Sequence, residues 1–97
     1  MSYSLHPDAE DEIAEAIDFY LHKASTTVAD RFATEVERVI ALLVENPKFG
    51  TTTTLGRRIY PLRVFPYSIV YREIEDGIRI LIVRHQHRRP AHGSTRH

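Results

Sequence analysis

The sequence predicts an α+β domain in the order β-α-α-β-β-β, with a helix hairpin packed on one face of a small, mainly antiparallel, twisted sheet. Three observations predict it. Apolar residues recur every three to four positions across residues 7–46. After Arg57 the pattern changes to short runs rich in Ile, Val and Tyr. The turn signal Glu75-Asp76-Gly77 then divides two of those runs into a hairpin. A chain of 97 residues has room for one core. One domain is expected over residues 1–90, with 91–97 as a polar tail that frays.

Tyr3–His6 alternates weakly and reads as a short first strand. Pro7 suits the first position of a helix, where its missing N–H costs nothing. Asp8, Glu10 and Asp11 place negative charge at the positive end of that helix. Ala9, Ile13, Ala16, Ile17, Tyr20 and Leu21 form its apolar stripe, to about Lys23. Ser25-Thr26-Thr27 offers N-caps for a second helix, with Asp30 three residues after Thr27. Its stripe is Val28, Phe32, Val36, Val39, Ile40 and Leu43, and Asn46-Pro47 ends it, because the residue before Pro is pushed out of the α region. So short a link predicts an antiparallel hairpin.

Residues 49–56, with the run Thr51–Thr54, read as a loop without a core pattern. Arg57–Phe65 reads as a strand that Pro61 confines to a sheet edge. Ser68–Ile74 and Ile78–His85 follow as strands, the last the most apolar and therefore interior. Phe32 and Ile80 are expected in the core. The helix hairpin covers one sheet face, and the other is left to solvent or a partner.

Composition narrows the function classes. Cysteine is absent, which excludes disulfides and thiolate chemistry. No apolar run approaches the roughly 20 residues of a membrane span, and the first residues lack a signal-peptide pattern, so a cytoplasmic protein without a membrane partner is expected. Net charge is zero, but residues 1–50 carry ten acids and four bases, whereas residues 51–97 carry nine bases, all Arg, and three acids. Such asymmetry points to an anionic or acidic partner, or to an acidic helical layer against a basic sheet.

Four stretches resemble one family. They are His6-Pro7-Asp8-Ala9-Glu10, Leu43-Val44-Glu45-Asn46-Pro47-Lys48-Phe49-Gly50, Phe65-Pro66-Tyr67-Ser68-Ile69-Val70-Tyr71-Arg72, and Val83-Arg84-His85-Gln86-His87-Arg88-Arg89-Pro90. In this order and spacing, from Tyr3 to about Pro90, they resemble the RelE/ParE toxin superfamily. The resemblance implies a small bacterial toxin of a type II toxin–antitoxin module, neutralised by a small acidic antitoxin. It implies one of two targets. RelE-like members cleave ribosome-bound mRNA, with the 2′-OH as nucleophile and no metal. That chemistry needs cations around the phosphate and groups that move protons. Here the residue after Tyr67 is Ser68 rather than Arg, and Ile59, Tyr60 and Pro61 stand where paired lysines belong. Arg63, Arg84 and His87 are left to fill part of that set. ParE-like members poison DNA gyrase and need no nuclease set. The ending His85-x-His87-Arg88-Arg89 and the Phe-Pro-Tyr turn are similar to theirs, so the ParE-like branch is favoured. A non-toxic interaction module of the same fold is the third reading, and the retained Arg63, Arg84, Arg88 and Arg89 argue against it.

Candidate site residues follow. Arg63 ends the first meander strand and Arg84 the last, so an antiparallel meander brings both to one end of the sheet. Together with His85, His87, Arg88 and Arg89 they are expected to bind the target. The antitoxin is expected to lay a helix along the hairpin, over Ile13, Ile17, Tyr20, Val36 and Ile40, and to add a strand at the Pro61 edge. His85 and His87 share a face, but no carboxylate or Cys completes a metal site, so no metal or cofactor is expected. Tyr67 and Tyr71 lie four apart on one face and read as packing residues. Arg57 and Arg58 project to opposite faces.

Overall fold

The computed structural model describes residues 2–86. Its elements are β1 (Ser2–Leu5), α1 (Pro7–Lys23), α2 (Thr26–Glu45), β2 (Thr51–Thr52), a 3-10 turn (Thr54–Gly56), β3 (Arg58–Pro61), β4 (Tyr67–Ile74) and β5 (Gly77–His85). The five strands form one sheet in the order β1-β5-β4-β3-β2. β1 runs parallel to β5, and the other neighbours are antiparallel. The α+β fold read from the sequence is the observed one. β5 is interior, between β1 and β4.

The helix starts are set by side chains. His6 Nδ1 accepts the Asp8 N–H at 3.1 Å, so His6 caps α1 and is not the last residue of β1. Ser25 Oγ accepts the Val28 N–H at 3.1 Å, which makes Ser25 the cap of α2 and excludes the Thr27–Asp30 pairing. The stripes meet the sheet in one cluster that includes Ala9, Phe32, Val39, Leu43, Ile69, Tyr71, Ile78 and Ile80. Phe32 and Ile80 are fully buried, as expected. Leu21 is not part of the stripe; it sits 45% exposed on the outer side of α1.

Two strand expectations need correction. Thr51-Thr52 is not loop: it pairs with Ile59 and Arg58 as β2, so the Pro61 strand has a neighbour outside it. β3 also stops at Pro61 rather than reaching Phe65. The Leu62 N–H turns to Tyr67 O at 2.9 Å, and the Phe65 N–H reaches back to Arg63 O at 2.7 Å across Val64. Val64 therefore holds φ +70, a costly backbone for a β-branched residue, with its side chain 96% exposed. At the other end, β1 docks only because position 77 is Gly. Gly77 has φ +146, and a Cβ there would meet Ser2 O at 1.7 Å.

A bulge in β5 decides which face each side chain takes. Val70 pairs with Ile82 but Tyr71 pairs with Ile80, so Leu81 is the extra residue. Ile78, Ile80 and Val83 join the helix-side core, whereas Leu81 and Ile82 join Val70 and Ile59 in a second cluster on the other face.

Candidate functional site

The sheet face turned away from the helices carries arginines around the buried apolar cluster of Val70, Leu81 and Ile82. Arg72 and Arg79 are direct cross-strand partners, and Arg84 pairs with Ser68. Alternation along β4 and β5 puts all three on the face opposite Tyr71, Ile78, Ile80 and Val83. Arg79 Nη1 donates to Ser4 Oγ at 3.1 Å across the parallel pair. The only strand acid among the described residues is Glu73, which alternation places on the helix side, 3.6 Å from Lys48 Nζ. Like charges directly opposite one another on adjacent strands repel. Planar guanidinium groups suit carboxylate or phosphate.

Arg63 and Arg84 do reach one end of the sheet. Arg84 pairs with Ser68, Ser68 with Pro61, and Arg63 lies two residues further. They do not form one patch, however. Arg63 turns to α2, where its backbone N–H donates to Glu35 Oε2 at 2.6 Å. Glu35 also receives a two-pronged bond from Arg38, at 2.7 and 2.8 Å. The Arg38 bond, helped by the Arg63 N–H and both charges, holds the Glu35 carboxyl below its usual range against the opposing effect of burial. Arg84 faces the open side, and His85, one residue on, turns back towards the helices. There its ring meets Tyr67 edge to face, with centroids 5.3 Å apart. His87, Arg88 and Arg89 lie outside the described residues.

The residues read as antitoxin contacts face inward. Val36 and Ile40 are 4% and 7% exposed, and Ile13, Ile17 and Tyr20 pack against the same core. They recur at helical spacing because they hold the hairpin on the sheet. Ile40 also touches a surface groove, between β1 and α2, with Tyr3, Ala41 and Val44 and with Glu37 and Glu45 on its rim, and Tyr20 lines a pocket with Glu12, Glu15, Phe19, Tyr67 and His85. Tyr67 and Tyr71 pack on the helix side, as read, but Tyr71 has a second role. Its hydroxyl donates to Pro47 O at 2.7 Å and accepts the Gly50 N–H at 2.9 Å. Arg58 turns to the same loop, donating to Gly50 O at 2.9 Å, while Arg57 is buried.

Sequence reasoning missed Glu12, Arg72 and Arg79. Glu12 is 8% exposed, and its Oε1 accepts the Val83 N–H at 3.0 Å, where β5 has run past the end of β1. Its position just after the acidic first turn hid it among dipole-matching charges. Arg72 and Arg79 were visible as strand residues, but their opposition depends on a register that only the folded sheet supplies. Among the described residues no three His, Cys, Asp or Glu side chains gather as a metal site. No described helix is long and apolar enough to cross a membrane.

Known proteins resemble this chain in sequence and fold. The profile of the ParE toxin of type II toxin-antitoxin system, parDE, matches residues 3–90. Toxin ParE2 of Mycobacterium tuberculosis (strain CDC 1551 / Oshkosh) is 32% identical over 82 residues, which are 84% of this chain and 77% of that protein. Toxin ParE2 of strain ATCC 25618 / H37Rv matches to the same extent. A solved structure of the chromosomal ParDE TA system from P. aeruginosa superposes with a TM-score of 0.76 at 22% identity, over 88% of this chain and 95% of that one. With a family profile spanning nearly its whole length, this chain belongs to the ParE toxins of type II toxin–antitoxin systems.

Proposed function

We propose that the chain arrests bacterial growth from the cytoplasm by inhibiting DNA gyrase. The carrying observation is at position 68. A ribonuclease of this superfamily should resemble its relatives in placing Arg directly after the first Tyr of β4. Here Ser68 holds that position, 6% exposed and seated between Pro61 and Arg84. Without a cation there, the remaining Arg side chains suit docking better than phosphoryl chemistry. The docking surface is the face with Arg72, Arg79 and Arg84; His87, Arg88 and Arg89, further target contacts in this reading, lie outside the described residues. Arg63 and His85 act from the two sides of the same sheet end.

A small acidic antitoxin neutralises the toxin in this reading. It pairs with the outer edge of β1 and lays apolar side chains in the groove of Tyr3, Ile40, Ala41 and Val44. Glu37 and Glu45 on the rim require that segment to carry its basic residues there.

The test pairs two assays on the purified chain. Supercoiling by gyrase should be inhibited, ribosome-bound mRNA should stay intact, and Arg84→Ala should weaken inhibition several-fold while leaving the melting temperature unchanged. Cleavage of the mRNA with supercoiling untouched would replace this reading with the RelE-like one.

A further inference from the structure

We propose that Val64, at the tip of the turn between β3 and β4, is a docking residue that inserts into an apolar notch with an acidic rim on the toxin's target. The inference rests on the gyrase reading above and adds the residue that enters the partner. Val64 is the centre of a tight turn, with φ +70 and the Phe65 N–H on Arg63 O at 2.7 Å. That is the rare, strained form of a three-residue turn. Gly, Asn and Asp tolerate positive φ, whereas a branched side chain there is a true outlier. The Val64 side chain is also 96% exposed, so its own packing does not offset the strain.

The neighbours impose this conformation. Leu62 is buried, and its N–H donates to Tyr67 O at 2.9 Å. The Arg63 N–H donates to Glu35 Oε2 at 2.6 Å. Phe65 packs on Tyr20 and Phe32 edge to face, with ring centroids 5.2 and 5.3 Å apart. The Tyr67 N–H on Phe65 O and the Gln86 N–H on Pro66 O, both at 2.8 Å, fix the far side. Strain that its surroundings over-determine marks functional positions. A turn anchored at its other residues presents one aliphatic side chain rigidly, so little ordering entropy is lost when it docks. Among the described residues the other non-Gly position with positive φ is Leu55, at φ +63 and 71% exposed. Leu55 is unbranched and lies in the turn before β3, at the opposite end of that strand.

Location and charge identify the partner. The groove assigned to the antitoxin includes Ser2, which pairs with Gly77 at the other end of the sheet. Val64 lies beyond the Pro61–Ser68–Arg84 row and so stays clear of that groove. Beside the tip, the guanidinium groups of Arg38 and Arg63 outnumber the Glu35 carboxylate. An acidic rim around an apolar notch is their complement.

Binding of the full chain to purified gyrase, read beside thermal melts, tests the role. Val64→Thr keeps the branch and the backbone but sets a hydroxyl in the notch. Its Tm should be unchanged and its affinity about tenfold lower. Val64→Asn should melt about 4–8 °C higher, because Asn accepts positive φ, and still bind about tenfold more weakly. Leu55→Asn should also melt higher, yet bind like the unaltered chain. Equal affinity in the unaltered chain and both Val64 variants would overturn the role of Val64 and leave the gyrase reading standing. An equal loss in Leu55→Asn would assign the effect to surface apolarity in general and overturn it too. No binding by the unaltered chain would overturn both readings.

Discussion

Tyr71→Phe removes one oxygen and should destabilise the protein by about 2–3 kcal/mol. The side chain is fully buried, and its hydroxyl ties two backbone groups of the α2–β2 connection: Pro47 C=O at 2.7 Å and Gly50 N–H at 2.9 Å. Gly50 is buried, so its N–H would lose its partner without gaining water, a penalty of about 1–3 kcal/mol. Pro47 is only half-buried, so its carbonyl can recruit water and forfeits about 0.5–1.5 kcal/mol at most. A domain of this size shifts its Tm by about 4–8 °C per kcal/mol, so a drop of roughly 10–20 °C is expected in a thermal melt followed by circular dichroism. A second substitution checks the cause. A Cβ at Gly50 would lie 2.6 Å from the Tyr71 hydroxyl and 2.8 Å from its Cε1. Gly50→Ala should therefore cost less in the Tyr71→Phe background than alone, since the closer clash has gone. A Tyr71→Phe loss below about 0.5 kcal/mol, or full additivity with Gly50→Ala, would refute the view that the phenol pins this loop.

Glu12→Ala should cost about 1–3 kcal/mol in urea unfolding by orphaning the Val83 N–H, and Glu12→Gln, which keeps an acceptor oxygen, should recover most of it; equal losses would point to charge rather than the hydrogen bond. Stability should also fall at alkaline pH. Burial raises the pKa of Tyr71 above its ordinary 10.0, and burial followed by the neighbouring Tyr67 raises that of Tyr20. Above pH 10 the unfolded chain therefore loses these protons first, the native state binds more, and unfolding free energy declines as pH rises through the native values. Melts between pH 8 and 11 that show no such decline would contradict it.

Local patterns made the fold legible where one residue decides one outcome. Pro7, Asn46-Pro47 and Glu75-Asp76-Gly77 each mark a boundary through backbone chemistry, and all three boundaries stand. The Thr51-Thr52 strand carried no such signal. It exists because the Tyr71 hydroxyl and Arg58 hold the preceding loop against the sheet, and the Tyr71 contact comes from a distant strand. The site was legible in part for a related reason. Arg63 and Arg84 could be brought to one sheet end from the meander alone, but the turn of Arg63 towards Glu35 depends on the strained path through Val64. The helical stripes were read correctly as apolar, and five of their residues, Ile13, Ile17, Tyr20, Val36 and Ile40, were also read as antitoxin contacts, whereas all five pack on the sheet core. The same spacing serves a core face or a docking face, and only packing distinguishes them.

The face assignments rest on one inserted residue. If β5 kept strict alternation from Ile78 and Ile80, Ile82 and Arg84 would also point to the helices, and His85 would point away. Arg84 would then lie under α1, where burying a charge demands a partner in place of core packing. Leu81 shifts the register by one, so Val83 fills the core and Arg84 emerges on the open face beside the Arg72–Arg79 pair. The same shift turns His85 into the aromatic pocket against Glu12 and Tyr67. One bulge thus separates an arginine-bearing face from an acidic, ring-lined pocket within two consecutive residues. That is why the charge asymmetry of the two sequence halves becomes two distinct surfaces rather than a single neutralised layer.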